Sequence, residues 1–152
     1  MKQRSFLAYY ANIPDIQSTR LKEALTHVNK LIPLSAAVLA NLPTDKLAFL
    51  DMLTTRFGKL QDIIGSKIFP LILNLLEEDA VAFIDKLNKL EKLGYIEDAN
   101  WWRRELREIR NKIAHYYLDD HDLICSHISV ATIKAAGLIE FWQKLKTKIV
   151  RL

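Results

Sequence analysis

The spacing of apolar residues constrains this chain more than any other feature. In the last third of the sequence, apolar side chains recur every three or four residues: Ile124, Ile128, Ala131, Ala135, Leu138, Trp142, Leu145 and Ile149. This spacing places them on one face of an α-helix. The 152 residues include only four glycines and four prolines, too few for the many turns of an all-β fold. The sequence therefore predicts an all-α protein.

Capping and breaking residues divide the helical pattern into five predicted helices. They cover residues from about Asp15 to Ala40, from near Asp45 to about Ile64, about 80–94, about Asp98 to Tyr117, and Asp120 or Asp122 to Ile149. We expect Pro33 to bend or break the first helix. The apolar residues of the second helix are expected along one stripe: Leu50, Leu53, Phe57, Leu60 and Ile64. Gly65 and Ser66 either end the second helix or distort it locally.

Further residues set the ends of these helices and their continuity. Pro70 argues against one unbroken helix through this region. We expect Thr44 to cap the second helix, Asp79 to cap the third and Gly94 to end it. Four main helices joined by short connections indicate an up-and-down bundle of four to five helices, folded as a single domain over residues 1–152.

Composition narrows the function only slightly. The formal net charge of +4 is compatible with a polyanionic partner but does not require one. Cys125, the single cysteine, can form neither an internal disulfide nor a cysteine-rich zinc site. No signal peptide and no run of about 18 apolar residues is evident. We expect a cytoplasmic protein that is not associated with a membrane.

The segment "REIRNKIAHYY", residues 107–117, contains the groups of greatest chemical interest. On a helical wheel, the apolar residues around it form a core stripe: Trp102, Leu106, Ile109, Ile113 and Tyr116. Arg103, Arg107, Arg110 and Tyr117 lie on one flank of that stripe, whereas Asn111 and His115 lie towards the far side. The predicted helix therefore presents a concentration of positive charge beside a titratable histidine.

Those side chains are the groups needed for metal-free cleavage of RNA. Arginine binds phosphate through two parallel charge-assisted hydrogen bonds, and histidine exchanges a proton near neutral pH. His115 is suited to proton transfer, and Arg110 to stabilising the charge of the transition state. One helix does not supply both an acid and a base, but a symmetric dimer would bring two copies of His115 together. A solvated surface helix is the simpler reading of the same spacing.

The spacing Arg110, four residues, His115, one residue, Tyr117, with Asn111 directly after the arginine, resembles the signature of HEPN domains. The "TTRFGKLQDIIG" segment, residues 54–65, also resembles a segment common in that group. The form with tyrosine two residues after the histidine is similar to the HEPN toxins that are paired with minimal nucleotidyltransferases. The resemblance covers essentially the whole chain and implies a HEPN-like helical bundle that works as a homodimer.

The resemblance also implies an activity and a regulatory partner. It implies a metal-independent endoribonuclease toxin without a cofactor, in which Arg110 and His115 form the catalytic pair and Asn111 assists them. It implies that a nucleotidyltransferase antitoxin silences the toxin by attaching AMP to Tyr117. We expect Arg103, Arg107 and Lys112 to bind the RNA. Arg56 and Asp62 on the second helix are candidate accessory residues.

Two other functions remain open. Some relatives of this group have been regarded as non-catalytic partners that bind a nucleotidyltransferase and its substrate. A dimerising scaffold without chemistry is the third possibility, and there the basic stripe would pair with acidic residues of its own fold.

Other motifs have simple structural interpretations. The "DDHD" segment, residues 119–122, is better explained as a helix cap than as a metal site. Cys125 and His27 are expected in the core or at an interface. The three tryptophans are expected to anchor the core and the dimer interface, although Trp101 could instead stack on an RNA base. The basic C-terminal segment is expected to be a solvated helix end that could also help to hold RNA.

Overall fold

A computed structural model describes residues 2–114 and 120–152 of the chain. Its elements are α1 (Lys2–Asn29), α2 (Ala36–Ala40), α3 (Thr44–Ile63), a first π segment (Ile64–Ile68), α4 (Phe69–Leu75), α5 (Phe83–Lys92), a second π segment (Trp101–Leu106), α6 (Arg107–Ile113) and α7 (His121–Val150). No β-strand occurs within these residues. The prediction of an all-α fold is therefore confirmed.

The first predicted helix began too late and was divided as expected. α1 starts at Lys2 instead of Asp15, because the N-terminal residues continue the apolar pattern and Leu7 is buried in the core. The predicted break near Pro33 is confirmed, since α1 ends at Asn29. α2 then begins after Ser35, whose Oγ accepts a hydrogen bond from the Val38 N–H at 3.2 Å.

Pro70 does not interrupt the second predicted helix. α3, the first π segment and α4 form one continuous helix from residue 44 to residue 75. Of the two possibilities at Gly65 and Ser66, a helix end or a local distortion, the second is observed. The distortion is the π segment, in which the Phe69 N–H donates to the Ile64 carbonyl five residues earlier. This wider turn directly precedes Pro70 and loosens the backbone where its ring would otherwise clash with the preceding turn.

Two of the four predicted end signals were wrong. Thr44 is the first residue of α3 instead of its cap, and α5 begins at Phe83, too far along the chain for Asp79 to cap it. The other two are confirmed. Gly94 has a φ of 82° at the end of α5, and the Oδ1 of Asp120 accepts from the Leu123 N–H at the start of α7.

The core lies where α1, α3 and α7 pack against one another. The predicted inward faces are confirmed, because the predicted stripe on α7 and the stripe of Leu50, Leu53, Phe57, Leu60 and Ile64 are all buried. Burying one such side chain stabilises the fold by about 1.5–3 kcal/mol. This packing holds α3 and the first π segment in place, and these two elements form one wall of the groove described below.

α7 is the one helix in the described residues that is long and apolar enough to cross a membrane by length and composition. Its most apolar window has a mean hydropathy of 1.4, and 44% of that window is buried inside the protein. The core helix of a soluble protein can be equally long and apolar. The exposed face of α7 includes Leu123, Val130 and Ile133.

The pairing of α1 with α7 gives a test of the core. The buried Trp142 donates its indole N–H to Asp15 Oδ1 at 2.8 Å, and Lys146 contacts Asp15 Oδ2 at 2.6 Å. We predict that Asp15→Ala lowers the free energy of unfolding by about 1–3 kcal/mol, since it leaves the indole N–H without its acceptor. Urea denaturation measures this change.

The matched control is Glu23→Ala, which removes an exposed ion pair with Arg20 from the same helix. That change is expected to cost less than about 1 kcal/mol. An equal effect of the two substitutions would contradict the importance of the buried indole contact.

Candidate functional site

The basic stretch borders a surface groove of about 750 Å³, which we call the arginine groove. α3 and the first π segment form one wall, the second π segment and α6 form the other, and the start of α5 closes one end. The lining residues are Gln61, Asp62, Gly65, Ser66, Phe83, Ile84, Trp102, Arg103, Arg107, Arg110 and Asn111. Arg103, Arg107 and Arg110 were predicted to share one flank, and the structure brings them together with Asn111.

Both π segments contribute to the walls of this groove. Gly65 and Ser66 come from the first, and Trp102 and Arg103 come from the second. π segments inside α-helices are rare and are often found at functional sites. In the described residues, the buried side-chain polar atoms without a hydrogen-bond partner are Gln61 Oε1 and Trp102 Nε1, and both side chains line this groove. Buried polar groups without a partner are uncommon in native proteins.

Arg110 is held in the groove by a carboxylate from the opposite wall. Its Nη1 donates to Asp62 Oδ1, and its Nη2 donates to Asp62 Oδ2 at 2.7 Å. The Arg110 side chain remains 37% exposed and that of Asp62 56% exposed. Since a guanidinium has five N–H groups, this pair leaves three of them for another acceptor.

Gly58 provides the space in which the Arg110 side chain lies. Gly58 is buried in the middle of α3, where alanine would be the better helix former. A Cβ at this position would lie 3.3 Å from Arg110 Nε and 3.4 Å from Nη2. The missing side chain therefore lets the guanidinium pack directly against α3.

The other arginines of the stretch have not been neutralised by the fold. Arg103, Arg104 and Arg107 are exposed, and no acidic side chain among the described residues forms an ion pair with them. Glu105, which lies between them, pairs instead with Lys134 of α7 at 2.8 Å. Within the described part of the chain, Arg103 and Arg107 therefore line the groove without an acidic partner, beside the paired Arg110, whereas Arg104 lies outside the groove.

Not every predicted residue belongs to this groove. Lys112 is exposed on α6 but lies outside the lining, towards α7, where its charge adds to burial in lowering the pKa of His127. Arg56 donates to Gln17 Oε1 at 3.0 Å and so joins α3 to α1. Trp101 lines a separate cavity of about 320 Å³ and packs against Phe141. His115 and Tyr117 lie outside the described residues.

The remaining candidates have structural roles. Cys125 is buried, and its burial raises the pKa of the thiol. His27 is half-buried and stacks on Phe49 with ring centroids 3.8 Å apart. Trp102 and Trp142 lie in the core as expected.

In residues 2–114 and 120–152, no three His, Cys, Asp or Glu side chains are grouped to hold a metal ion.

The basic C-terminal segment makes intramolecular contacts. Lys146 binds Asp15, as described above, and Lys144 forms an ion pair with Glu140. Lys148 Nζ donates to the Gly94 carbonyl at 2.9 Å.

The chain matches no protein-family model, and neither a curated protein nor a solved structure is significantly similar to it.

The contact between Gly58 and Arg110 can be tested without any substrate. We predict that Gly58→Ala raises the free energy of unfolding by up to about 1 kcal/mol, because alanine is the better helix former. The same change displaces the Arg110 guanidinium by a few tenths of an ångström, since its Nε would lie only 3.3 Å from the new methyl group. Thermal unfolding measures the first effect and the NMR signal of Arg110 Nε the second.

The control is the Asp62→Asn substitution in the same protein. It removes the carboxylate that holds the Arg110 guanidinium. An unchanged Nε signal in Gly58→Ala would show that the close approach does not exist.

Proposed function

We propose that this chain is a metal-independent endoribonuclease toxin of the HEPN type, active as a homodimer in the cytoplasm. The observation that carries the proposal is the arginine groove. Arg103, Arg107, Arg110 and Asn111 converge in it from one helical stretch. His115 follows in the sequence directly after Ala114, where the described part of that stretch ends.

The proposed reaction uses the RNA's own 2′-hydroxyl as the nucleophile. A base removes its proton, the O2′–P bond forms, and the P–O5′ bond breaks as an acid protonates the leaving oxygen. The products are a 2′,3′-cyclic phosphate and a 5′-hydroxyl. His115 from each of two subunits supplies the two proton transfers, and Arg110 stabilises the negative charge that builds up on the phosphoryl oxygens.

Asp62 fits this reaction as a positioning residue. Its two hydrogen bonds orient the Arg110 guanidinium and leave three N–H groups for the phosphate. An exposed ion pair of this kind contributes only about 0–1 kcal/mol, so a polyanion can compete with it for the guanidinium. Holding the cation in one orientation lowers the reorganisation needed to reach the transition state.

Regulation belongs to the same proposal. A minimal nucleotidyltransferase antitoxin would transfer AMP from ATP to the hydroxyl of Tyr117, with release of pyrophosphate. Tyr117 lies seven residues after Arg110 in the sequence. The phosphate added to that tyrosine would compete with RNA phosphates for the arginines of the groove.

A non-catalytic partner of a nucleotidyltransferase is the second candidate function. The Arg110–Asp62 pair favours it, because a guanidinium already bound to a carboxylate attracts phosphate less strongly than a free one. This candidate predicts a stable complex with the nucleotidyltransferase and no RNA cleavage under any condition.

The nuclease proposal predicts cleavage of RNA in the presence of EDTA. Arg110→Ala and His115→Ala are each expected to lower the rate by about 100-fold or more, because each removes a group that acts in the transition state. Gel electrophoresis measures the rate, and an RNA with a 2′-deoxy nucleotide at the cleavage site should resist cleavage.

Arg104→Ala is the matched control, since Arg104 lies on the same helix as Arg110 but outside the groove. Equal rates for wild type, Arg110→Ala and His115→Ala would eliminate the proposal.

The positioning role of Asp62 predicts opposite effects on binding and on turnover. Asp62→Asn is expected to lower KM, because it removes a negative charge from the groove. It is expected to lower kcat by about 10-fold or more, because it releases the Arg110 guanidinium from its fixed orientation. Steady-state kinetics separates the two constants. A rise in kcat would show that Asp62 masks Arg110 instead of positioning it.

A further inference from the structure

The arginine groove has an apolar end that the cleavage chemistry does not use. Phe83, in the first turn of α5, has 46% of its surface exposed although it borders the groove. Its ring lies against the first π segment, with Cζ 3.5 Å and Cε2 3.6 Å from the position of a Cβ on Gly65. The ring is therefore held against backbone on one side and remains accessible from the groove.

The polar end of the groove carries more positive charge than its own carboxylate balances. Arg103, Arg107 and Arg110 contribute three positive charges, and Asp62 contributes the single negative charge of the lining, so the formal sum is +2. Asp62 is bound by Arg110. The positive charge that remains is that of Arg103 and Arg107.

An exposed aromatic ring next to two unpaired guanidinium groups selects a particular ligand chemistry. A nucleotide combines a flat ring that stacks on an aromatic side chain with a phosphate that binds arginine. The groove volume of about 750 Å³ lies within the usual range for ligand pockets. A base can reach the ring only when it is unstacked, which excludes the interior of an RNA duplex.

We infer that the arginine groove is a subsite for single-stranded RNA, in which one base stacks on Phe83 and the adjoining phosphates bind Arg103 and Arg107. This inference rests on the proposed function and deepens it, because it specifies an unpaired substrate. Arg110 lies in the same groove, so a strand bound there passes the guanidinium that is proposed to act on the scissile phosphate.

The test measures binding separately from cleavage. The full-length protein carries His115→Ala to prevent cleavage, and the probe is a fluorescein-labelled single-stranded RNA of about eight nucleotides, a length typical of such sites. Fluorescence anisotropy gives the Kd. Phe83→Ala is expected to raise it by about 10-fold or more, as the loss of one stacked base would, and Phe83→Trp is expected to preserve binding.

Matched controls separate stacking and phosphate binding from general effects. Tyr9→Ala removes an exposed aromatic ring that does not line the groove. Arg103→Gln and Arg107→Gln are each expected to reduce the slope of log Kd against log salt by about 0.7. Arg104→Gln makes the same charge change outside the groove and should alter the slope less.

Each outcome decides between the subsite and the nuclease proposal. The subsite is overturned if Phe83→Ala binds the probe as tightly as its parent, if Tyr9→Ala has the same effect, or if a duplex of the same sequence binds equally well. RNA cleavage that depends on Arg110 but not on Phe83 would leave the nuclease standing without this subsite. If RNA binding depends on Phe83 but the wild-type protein does not cleave RNA, the subsite is supported and the nuclease proposal is eliminated. Failure to bind the probe at all would overturn the subsite.

Discussion

The contact of Arg110 with Asp62 organises the surface of this protein. It joins α6 to α3 at the point where the buried Gly58 leaves room for the guanidinium. The pair itself adds little stability, because both side chains are substantially exposed. Its effect is geometric. A long flexible side chain that would otherwise sample several rotamers is held in one orientation at the edge of the groove, with three N–H groups still available.

Both π segments border the arginine groove between these helices. Each adds a wider turn to an otherwise regular helix, and the two contribute Gly65, Ser66, Trp102 and Arg103 to the walls. Regular helices with apolar stripes would pack along their length and close the space between them. A π turn interrupts the regular register of such ridges, and the polar atoms of Gln61 and Trp102 that lack partners border the same space. The fold keeps its unsatisfied groups and its unpaired arginines in one place.

Part of this arrangement could be read from the sequence. The stripe on α7 and the stripe on α3 were predicted residue by residue, because apolar periodicity reports burial directly. The arginine cluster was predicted for the same reason, as the residues outside a core stripe must face outward. The start of α1 at Lys2, the continuation of the helix past Pro70 and the second π segment were not, because backbone hydrogen bonding and tertiary packing decide them. For the first π segment, a local distortion at Gly65 and Ser66 was one of two possibilities. Phe83 and Gly58 were missed. A glycine inside a strong helix pattern was the available signal for the latter.

The charge of the groove depends on which basic residues the neighbouring acidic side chains bind. Glu105 lies within the basic stretch, but it is two residues from Arg103 and from Arg107 and so does not share their face of the helix. It pairs with Lys134 on α7. Asp15, similarly, is bound by the buried Trp142 and by the exposed Lys146 of α7. Asp62 is the one acidic residue among the described residues that line the groove, and it holds one arginine without balancing the other two. A scaffold whose basic stripe packs against its own carboxylates would give each of these arginines an acidic partner, whereas among the described residues only Arg110 has one. The two guanidinium groups of Arg103 and Arg107, which have no acidic partner among the described residues, repel each other. A bound polyanion removes that repulsion.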